Sequence, residues 1–393
     1  MFRETSFPAD VFDEIRTLPI LLIRERALAN NITEMSAFCA RYGLELAPHC
    51  KTHMSPDLWR RQAAKGARRA TVATAAQAGI FFDAGVRSLL IANQVVAPGD
   101  IAELNRLLRG GADILVFVDS VASVTILTEH LALTRGQLGV LVEYGVPGFR
   151  TGCRTFAEVS DVVDAVRGSS CLVLRGLAGY EGVLSRAVAV DEQERLLSVY
   201  MERTATVLDR LTAQYRGDQP FIVSFGGSDL YPAVVEALAD RTYSVPIRIL
   251  LRSGCYLVHD HGKYARAQES VPSAVTKPHF LAALEVWAPV TSVPERGLAV
   301  VGLGARHVSH DTDLPTPLTI RRDGRHVPVR DAKVVALYDQ HAVLRTGDRS
   351  DLRVGDLVSM GISHPCTTFD KWRSAIVVDE DYRPVETIRT HFG

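Results

Sequence analysis

The strongest constraint on the fold is a repeated alternation of short apolar runs with amphipathic segments. Runs rich in β-formers stand at 44–50 (LELAPHC), 70–73 (ATVA), 88–92 (SLLIA), 113–118 (DILVFV), 138–143 (LGVLVE), 172–178 (LVLRGLA), 221–225 (FIVSF) and 247–251 (IRILL). Between them lie helical patterns such as SPDLWRRQAAKG and DEQERLLSVYMERTATVLDRLTAQY. Strands alternating with helices predict an α/β fold. Eight such units over roughly 240 residues fit a (β/α)8 TIM-type barrel in number and length. A doubly wound open sheet is the alternative, because a strand count does not show closure. An opening strand, PILLIRE, precedes the helix ALANNITEMSAFCARYG, which ends at Gly43 as a C-cap.

From about residue 280 the helical periodicity fades. LEVWAPVTSV, LAVVGLG, AKVVALYD, HAVLRT and DLVSMGI are split by Gly, Pro and Asp, which predicts a mostly antiparallel β domain. RRDGRHVPV adds an Asp-Gly hairpin signal. A chain of 393 residues exceeds one ordinary core. The expected organisation is therefore a barrel over 20–280 and a β domain over 281–393, joined by the N-terminal segment 1–19.

A formal net charge of −1 leaves no basic footprint for nucleic acid or an anionic membrane. No apolar run reaches the roughly 18 residues of a membrane span. The start, MFRETSFPADVFDEIR, lacks the basic-then-apolar order of a signal peptide. Cysteines 39, 50, 153, 171, 255 and 366 are scattered without a CxxC pair and read as reduced thiols of a cytoplasmic protein.

Barrel active sites lie at the C-terminal ends of the strands. Lys51 follows the first counted strand in PHCKTH. It is either a solvated surface lysine or a Schiff-base lysine whose amine is made nucleophilic by burial and nearby charge. Strand seven runs into Gly226-Gly227-Ser228 and a helix start, where backbone N–H groups can converge on an anion. Strand eight runs into RSGCY, with Gly254 and Tyr256 placed to complete a phosphate cup; most Gly-Gly-Ser turns are only turns. In GISHPCTTFDKW, His364 and Cys366 are two residues apart, and on an extended strand both side chains share a face. An imidazole and a thiolate suit Zn2+, although two ligands are fewer than the usual three or four. The alternative is a buried His beside an inert Cys. Arg150 in EYGVPGFRTGCR and Tyr180 in GLAGYEGVL follow strands five and six, as cofactor contacts or ordinary loop residues.

Together, PHCKTH, GYEG, SFGGS, RSGCYLVHD, GARHVSHDTDLP and SHPC resemble, in that order, the motifs of fold-type III pyridoxal-phosphate (PLP) enzymes. These are the alanine-racemase-like barrels, and within them the D-serine dehydratase and D-threonine aldolase family. The resemblance runs from about residue 15 to 390. It implies that Lys51 holds PLP, that Gly226, Gly227, Ser228, Gly254 and Tyr256 hold its phosphate, and that Tyr180 and Arg150 lie at the ring. It also implies that His364 and Cys366 bind a metal. The dehydratases of the family pair His with Cys for zinc; the aldolases more often pair His with Asp for manganese or magnesium. Cys366 thus favours a lyase that dehydrates D-serine or D-threonine to a 2-oxo acid and ammonia, with an aldolase giving glycine and an aldehyde as the alternative. TTFDKW departs from the family pattern and leaves the substrate open. A non-catalytic PLP-homeostasis protein is a further alternative, but such relatives are single barrels. The resemblance also implies a homodimer. His49, His53, Asp229 and His310 carry no assigned role.

Overall fold

The computed structural model describes residues 10–14, 17–133, 138–187, 190–270, 274–347 and 351–392. The described residues form two sheets. β1 (Ile20–Arg24) leads into the helix Glu25–Arg41, which buries Leu28, Ile32, Met35 and Phe38 at helical spacing. Gly43 follows at φ +63°, the left-handed geometry that ends the helix as expected.

The first sheet takes β2 (Glu45–Leu46), β3 (Ala70–Val72), β4 (Ser88–Gln94), β5 (Asp113–Val118), β6 (Leu138–Glu143), β7 (Leu172–Ala178), β8 (Phe221–Phe225) and β9 (Ile247–Leu251). All its neighbours are parallel, in the order β2-β9-β8-β7-β6-β5-β4-β3. The sheet closes on itself. His49 bridges Thr71 in parallel, and the Thr71 N–H donates to the Pro48 carbonyl at 3.0 Å. The structure is thus the expected barrel rather than an open sheet. Side-chain alternation divides its interior from its exterior. On β5, Leu115 and Phe117 join Leu90, Leu141, Ile222 and Leu250 in one cluster, while Ile114, Val116 and Val118 pack in another with the surrounding helices. Phe117 is at the upper end of the inner cluster and forms part of the cavity floor above it.

The second sheet begins with β10 (Leu284–Glu295) and β11 (Leu298–Val301), followed by β12 (Thr316–Arg322) and β13 (Arg325–Pro328). β14 (Ala332–Leu337), β15 (Ala342–Thr346), β16 (Leu357–Gly361), β17 (Ser374–Val378) and β18 (Pro384–Arg389) complete it. Its main path is β13-β12-β16-β10-β1-β17-β18, with β11, β15 and β14 branching from β10. Every pair is antiparallel except β1 with β17. The Asp-Gly signal becomes the β12–β13 hairpin, with Asp323 and Gly324 both at positive φ. β1 falls on the barrel side of the boundary at residue 20, yet it pairs with β10 and β17. Its apolar run satisfies either sheet; only the pairing partner decides. Of the segment 1–19, residues 1–9 and 15–16 lie outside the described residues. Among the described residues no helix is long and apolar enough to cross a membrane.

Candidate active site

A cavity of about 390 Å3 opens where the barrel's C-terminal strand ends face the β16 end of the second sheet. Lys51, Arg150, Tyr180, Ser228, His364 and Cys366 all line it, with Gly226, Gly227 and Gly254. A larger groove of about 680 Å3 adjoins it across Lys263; its walls hold none of the candidate residues.

The chain leaves the barrel after Leu46, and Cys50–Thr52 makes a short 3-10 turn that directs Lys51 into the cavity. Its side chain lines the cavity and is exposed to it. Desolvation holds its pKa below that of a free lysine; the thiols of Cys366 and Cys255 oppose this, and Arg150 and Arg252 reinforce it. The amine is therefore more often neutral, hence nucleophilic, than a solvated lysine. His53 is not a tuning partner. Its Nδ1 accepts from the Ser55 N–H at 3.0 Å, and burial lowers its pKa to about 3, so it is a neutral packing residue. His49 does line the cavity, is held neutral by burial beside Lys51, and has a buried Nδ1 without a hydrogen-bond partner. His310 is exposed and outside the cavity wall.

The cup after β8 and β9 is built differently from the expectation. Gly226, at φ +93°, and Gly227 direct their N–H groups to the Glu181 carboxylate, Gly226 at 3.2 Å. Burial raises the Glu181 pKa while those two amides lower it. The amides therefore face an internal carboxylate, and the open part of the cup is Ser228 with Gly254 and Cys255. The Ser228 Oγ accepts from Gly254 N–H at 3.4 Å and Cys255 N–H at 3.2 Å. A Cβ at Gly254 would stand 2.5 Å from the His49 carbonyl, so only glycine lets these two loops meet. Tyr256 does not belong to the cup. Its hydroxyl accepts from Gln62 at 2.7 Å and its ring packs against Phe280, inside the core. The 3-10 turn Cys255–Leu257 rotates it away from the cavity. Asp229 forms a buried pair with Lys263 at 2.9 Å.

Arg150 lies over the Tyr180 ring, 5.3 Å from its centroid. Burial raises the Tyr180 pKa, so the phenol stays protonated. Arg252 is a functional candidate that the motif reading passed over although it heads RSGCY. Its guanidinium is buried at the cavity wall, donating to Ser224 Oγ at 2.8 Å and the Gly179 carbonyl at 2.6 Å. An arginine directly after the apolar Ile249-Leu250-Leu251 end of β9 is the signal that marks it.

His364 and Cys366 reach the cavity, but not from a strand. His364 has φ +68°, and Cys366 opens the short helix Cys366–Phe369. The period-two argument for a shared face therefore fails; a turn brings them together. Non-glycine residues avoid this region unless their surroundings hold them there. Here the His364 N–H donates to Asp260 Oδ2 at 2.9 Å. The other oxygen of Asp260 accepts from Gly262, Tyr264 and Ala265, tying the loop to the barrel. The His364 Nδ1 donates to Asp311 Oδ2 at 2.6 Å, and Thr367 Oγ1 donates to Asp311 Oδ1 at 2.8 Å. Burial opposes ionisation of Asp311, but these hydrogen bonds prevail and lower its pKa. Metal-bound histidines commonly donate one ring nitrogen to a carboxylate, leaving the other for the ion. With Nδ1 so engaged, Nε2 is free.

Cys366 Sγ lies 3.3 Å from Thr52 Oγ1 and 3.5 Å from Cys255 Sγ. The two thiols titrate as a pair. The first proton leaves below the usual thiol range because the remaining S–H donates to the thiolate, and the second is held well above it. Among the described residues no three His, Cys, Asp or Glu side chains stand grouped to hold a metal ion as they are.

The comparisons with known proteins agree with this architecture. Residues 283–378 match the family described as "Putative serine dehydratase domain". The chain is 26% identical to 3-hydroxy-D-aspartate aldolase of Paracoccus denitrificans (strain Pd 1222), over 89% of this chain and 85% of that protein. It is 32% identical over a shorter stretch, 36% of this chain and 37% of that protein, to D-threo-3-hydroxyaspartate dehydratase of Delftia sp. (strain HT23). In fold it is similar to D-threonine aldolase from Filomicrobium marinum (TM-score 0.81, 24% identity, 95% of both chains). An alanine-racemase-like protein from Idiomarina loihiensis shares the fold too (TM-score 0.73, 19% identity, 98% and 99% of the chains). Barrel, second sheet and sequence likeness converge: residues 283–378 match the serine dehydratase domain, and over most of its length the chain is similar to the D-serine dehydratase and D-threonine aldolase group and shares the alanine-racemase-like fold.

Proposed function

We propose that the protein is a PLP- and metal-dependent lyase of β-hydroxy D-amino acids, acting as a dehydratase that yields a 2-oxo acid and ammonia. One observation carries the reading: the amine of Lys51, the Ser228–Gly254–Cys255 cup and the His364–Cys366 turn line a single cavity. Both groups fit the residues present. Lys51 would hold PLP through Nζ, Ser228 with the Gly254 and Cys255 loop would face its phosphate, and Tyr180, Arg150 and Arg252 would border its ring. His364 Nε2 and Cys366 Sγ would hold the metal, with Asp311 orienting the imidazole. When bound, PLP supplies an electron sink for the pair left at the α-carbon, and the metal supplies a Lewis acid for the β-oxygen.

The chain's own residues do the rest. Lys51 Nζ, its pKa lowered by burial, accepts the α-proton. Arg252, fixed by Ser224 and Gly179, holds positive charge at the cavity wall. Tyr180 stays protonated beneath Arg150 and so keeps an O–H to donate. The second sheet closes the cavity opposite the barrel and limits water there; a single-barrel PLP-homeostasis protein has no such wall.

An N/S donor pair supports zinc and dehydration over the oxygen-rich sites that manganese and magnesium prefer. D-threo-3-hydroxyaspartate dehydratase has been solved as a histidine variant and, two positions further along, as a cysteine variant in a metal-free form. The competing reading is an aldolase, favoured by the greater length over which the Paracoccus aldolase aligns. Incubation with D-threonine and with 3-hydroxy-D-aspartate, in the presence of PLP and zinc, separates the two. The dehydratase reading expects 2-oxobutanoate or oxaloacetate with ammonia. Glycine with acetaldehyde or glyoxylate as the main products would replace it with the aldolase.

A further inference from the structure

We propose that Cys255 is a third protein ligand of the metal, making a Cys2His site with one open position. The proposal rests on the metal reading above and extends it to a residue outside the His-x-Cys motif. A motif of two donors is one short of the three protein ligands of a catalytic zinc site, of which Cys2His is a known form. Among the described residues, a further thiol stands beside Cys366. Cys255, 111 residues away in the chain, places its sulfur 3.5 Å from that of Cys366.

That separation fits two thiolates sharing an ion. Zn–S bonds of about 2.3 Å at a tetrahedral angle set the sulfurs about 3.8 Å apart, whereas a disulfide needs about 2.05 Å. The position of Cys255 is prescribed by its backbone. Its N–H donates to Ser228 Oγ at 3.2 Å, in the cup, and Thr52 Oγ1 lies 3.8 Å from Cys255 Sγ and 3.3 Å from Cys366 Sγ. His364, its Nδ1 held by Asp311 at 2.6 Å, has Nε2 left for the ion; the three side chains are not grouped around one point without it, so binding would draw Nε2 onto the two sulfurs. Two thiolates and a neutral imidazole neutralise Zn2+, leaving its fourth position for the substrate's β-oxygen. Cys255 comes from the barrel and the other two ligands from the β16 turn, so the ion also fastens the two sheets together.

X-ray absorption at the zinc edge of the PLP- and zinc-loaded protein counts the sulfurs directly. Two sulfurs at about 2.3 Å are expected in the wild type and one in Cys255→Ser. Chelator competition should show zinc affinity at least about tenfold weaker in Cys255→Ser. Zinc should also raise the melting temperature of the wild type more than that of the variant. One sulfur in the wild type, or a Cys255–Cys366 disulfide in the zinc-loaded protein, overturns the third ligand and leaves the His364–Cys366 site standing. No stoichiometric zinc in the wild type overturns both. The wild-type sulfur count needs no variant to fold.

Discussion

The cavity has two walls made by different means. On the barrel wall, Lys51, Ser228, Gly254 and Arg252 stand just past strand ends, where the repeat of strand and helix delivers them. On the opposite wall, Cys366 opens a short helix just after His364, which stands at positive φ and is secured by the carboxylates of Asp260 and Asp311 from distant parts of the chain. The first wall follows from topology. The second depends on particular long-range hydrogen bonds and is correspondingly easier to undo without unfolding the protein.

The largest expected effect lies on the barrel wall. Lys51→Ala should abolish the visible absorption of bound PLP and lower turnover by at least about 10³-fold, read by spectroscopy and product assay. Zinc content should be unchanged. Joint loss of PLP and zinc would show that the walls are not separable.

The next effect lies on the opposite wall, where the proposed function puts the metal. Asp311→Ala removes the acceptor of His364 Nδ1 and should weaken zinc binding about 10–100-fold by chelator competition, with PLP absorbance retained. Asp260→Ala should lower stability in denaturant by about 1.5–3 kcal/mol, because several N–H groups lose a charged acceptor at once.

The smallest effect is shared. Burial holds His53, packed behind the barrel wall, at about 3 and His261, beside β16, at about 4. The unfolded chain binds protons at both below about pH 6.5 while the folded chain does not, so stability falls as pH drops through that range. Each group contributes up to about 1.4 kcal/mol per pH unit. Denaturant titrations of His53→Gln and His261→Gln between pH 7 and 5 should each show a shallower slope.

Much of the barrel wall is legible in the sequence because local pattern decides it. The runs 113–118, 138–143, 172–178, 221–225 and 247–251 are the strands themselves, each an apolar stretch bounded by turn residues. The run 44–50 shortens to Glu45–Leu46, since Pro48 has no N–H for a ladder and the chain turns at Cys50. Tyr256 misleads for a related reason: a 3-10 turn after Gly254 sends successive side chains to different sides, and the sequence carries no sign of it. The Gly-Gly turn announces an anion site, but which anion fills it, here partly Glu181, depends on a partner 45 residues upstream.

The opposite wall is less legible. Spacing picks out His364 and Cys366, but the strand geometry expected for them is absent. Asp311 lies in GARHVSHDTDLP among other acidic and imidazole groups, with nothing local to single it out. The cysteines look scattered because proximity in space leaves no trace in spacing; Cys255 and Cys366 meet only when the second sheet folds over the barrel.

The central claim, that Lys51 is the residue around which this cavity works, has a direct test. The protein is loaded with PLP, reduced with borohydride, digested and mapped by mass spectrometry. The expected result is a stable pyridoxyl group on Lys51 at one per chain. A modified Lys263, or no modification at any lysine, would contradict the account.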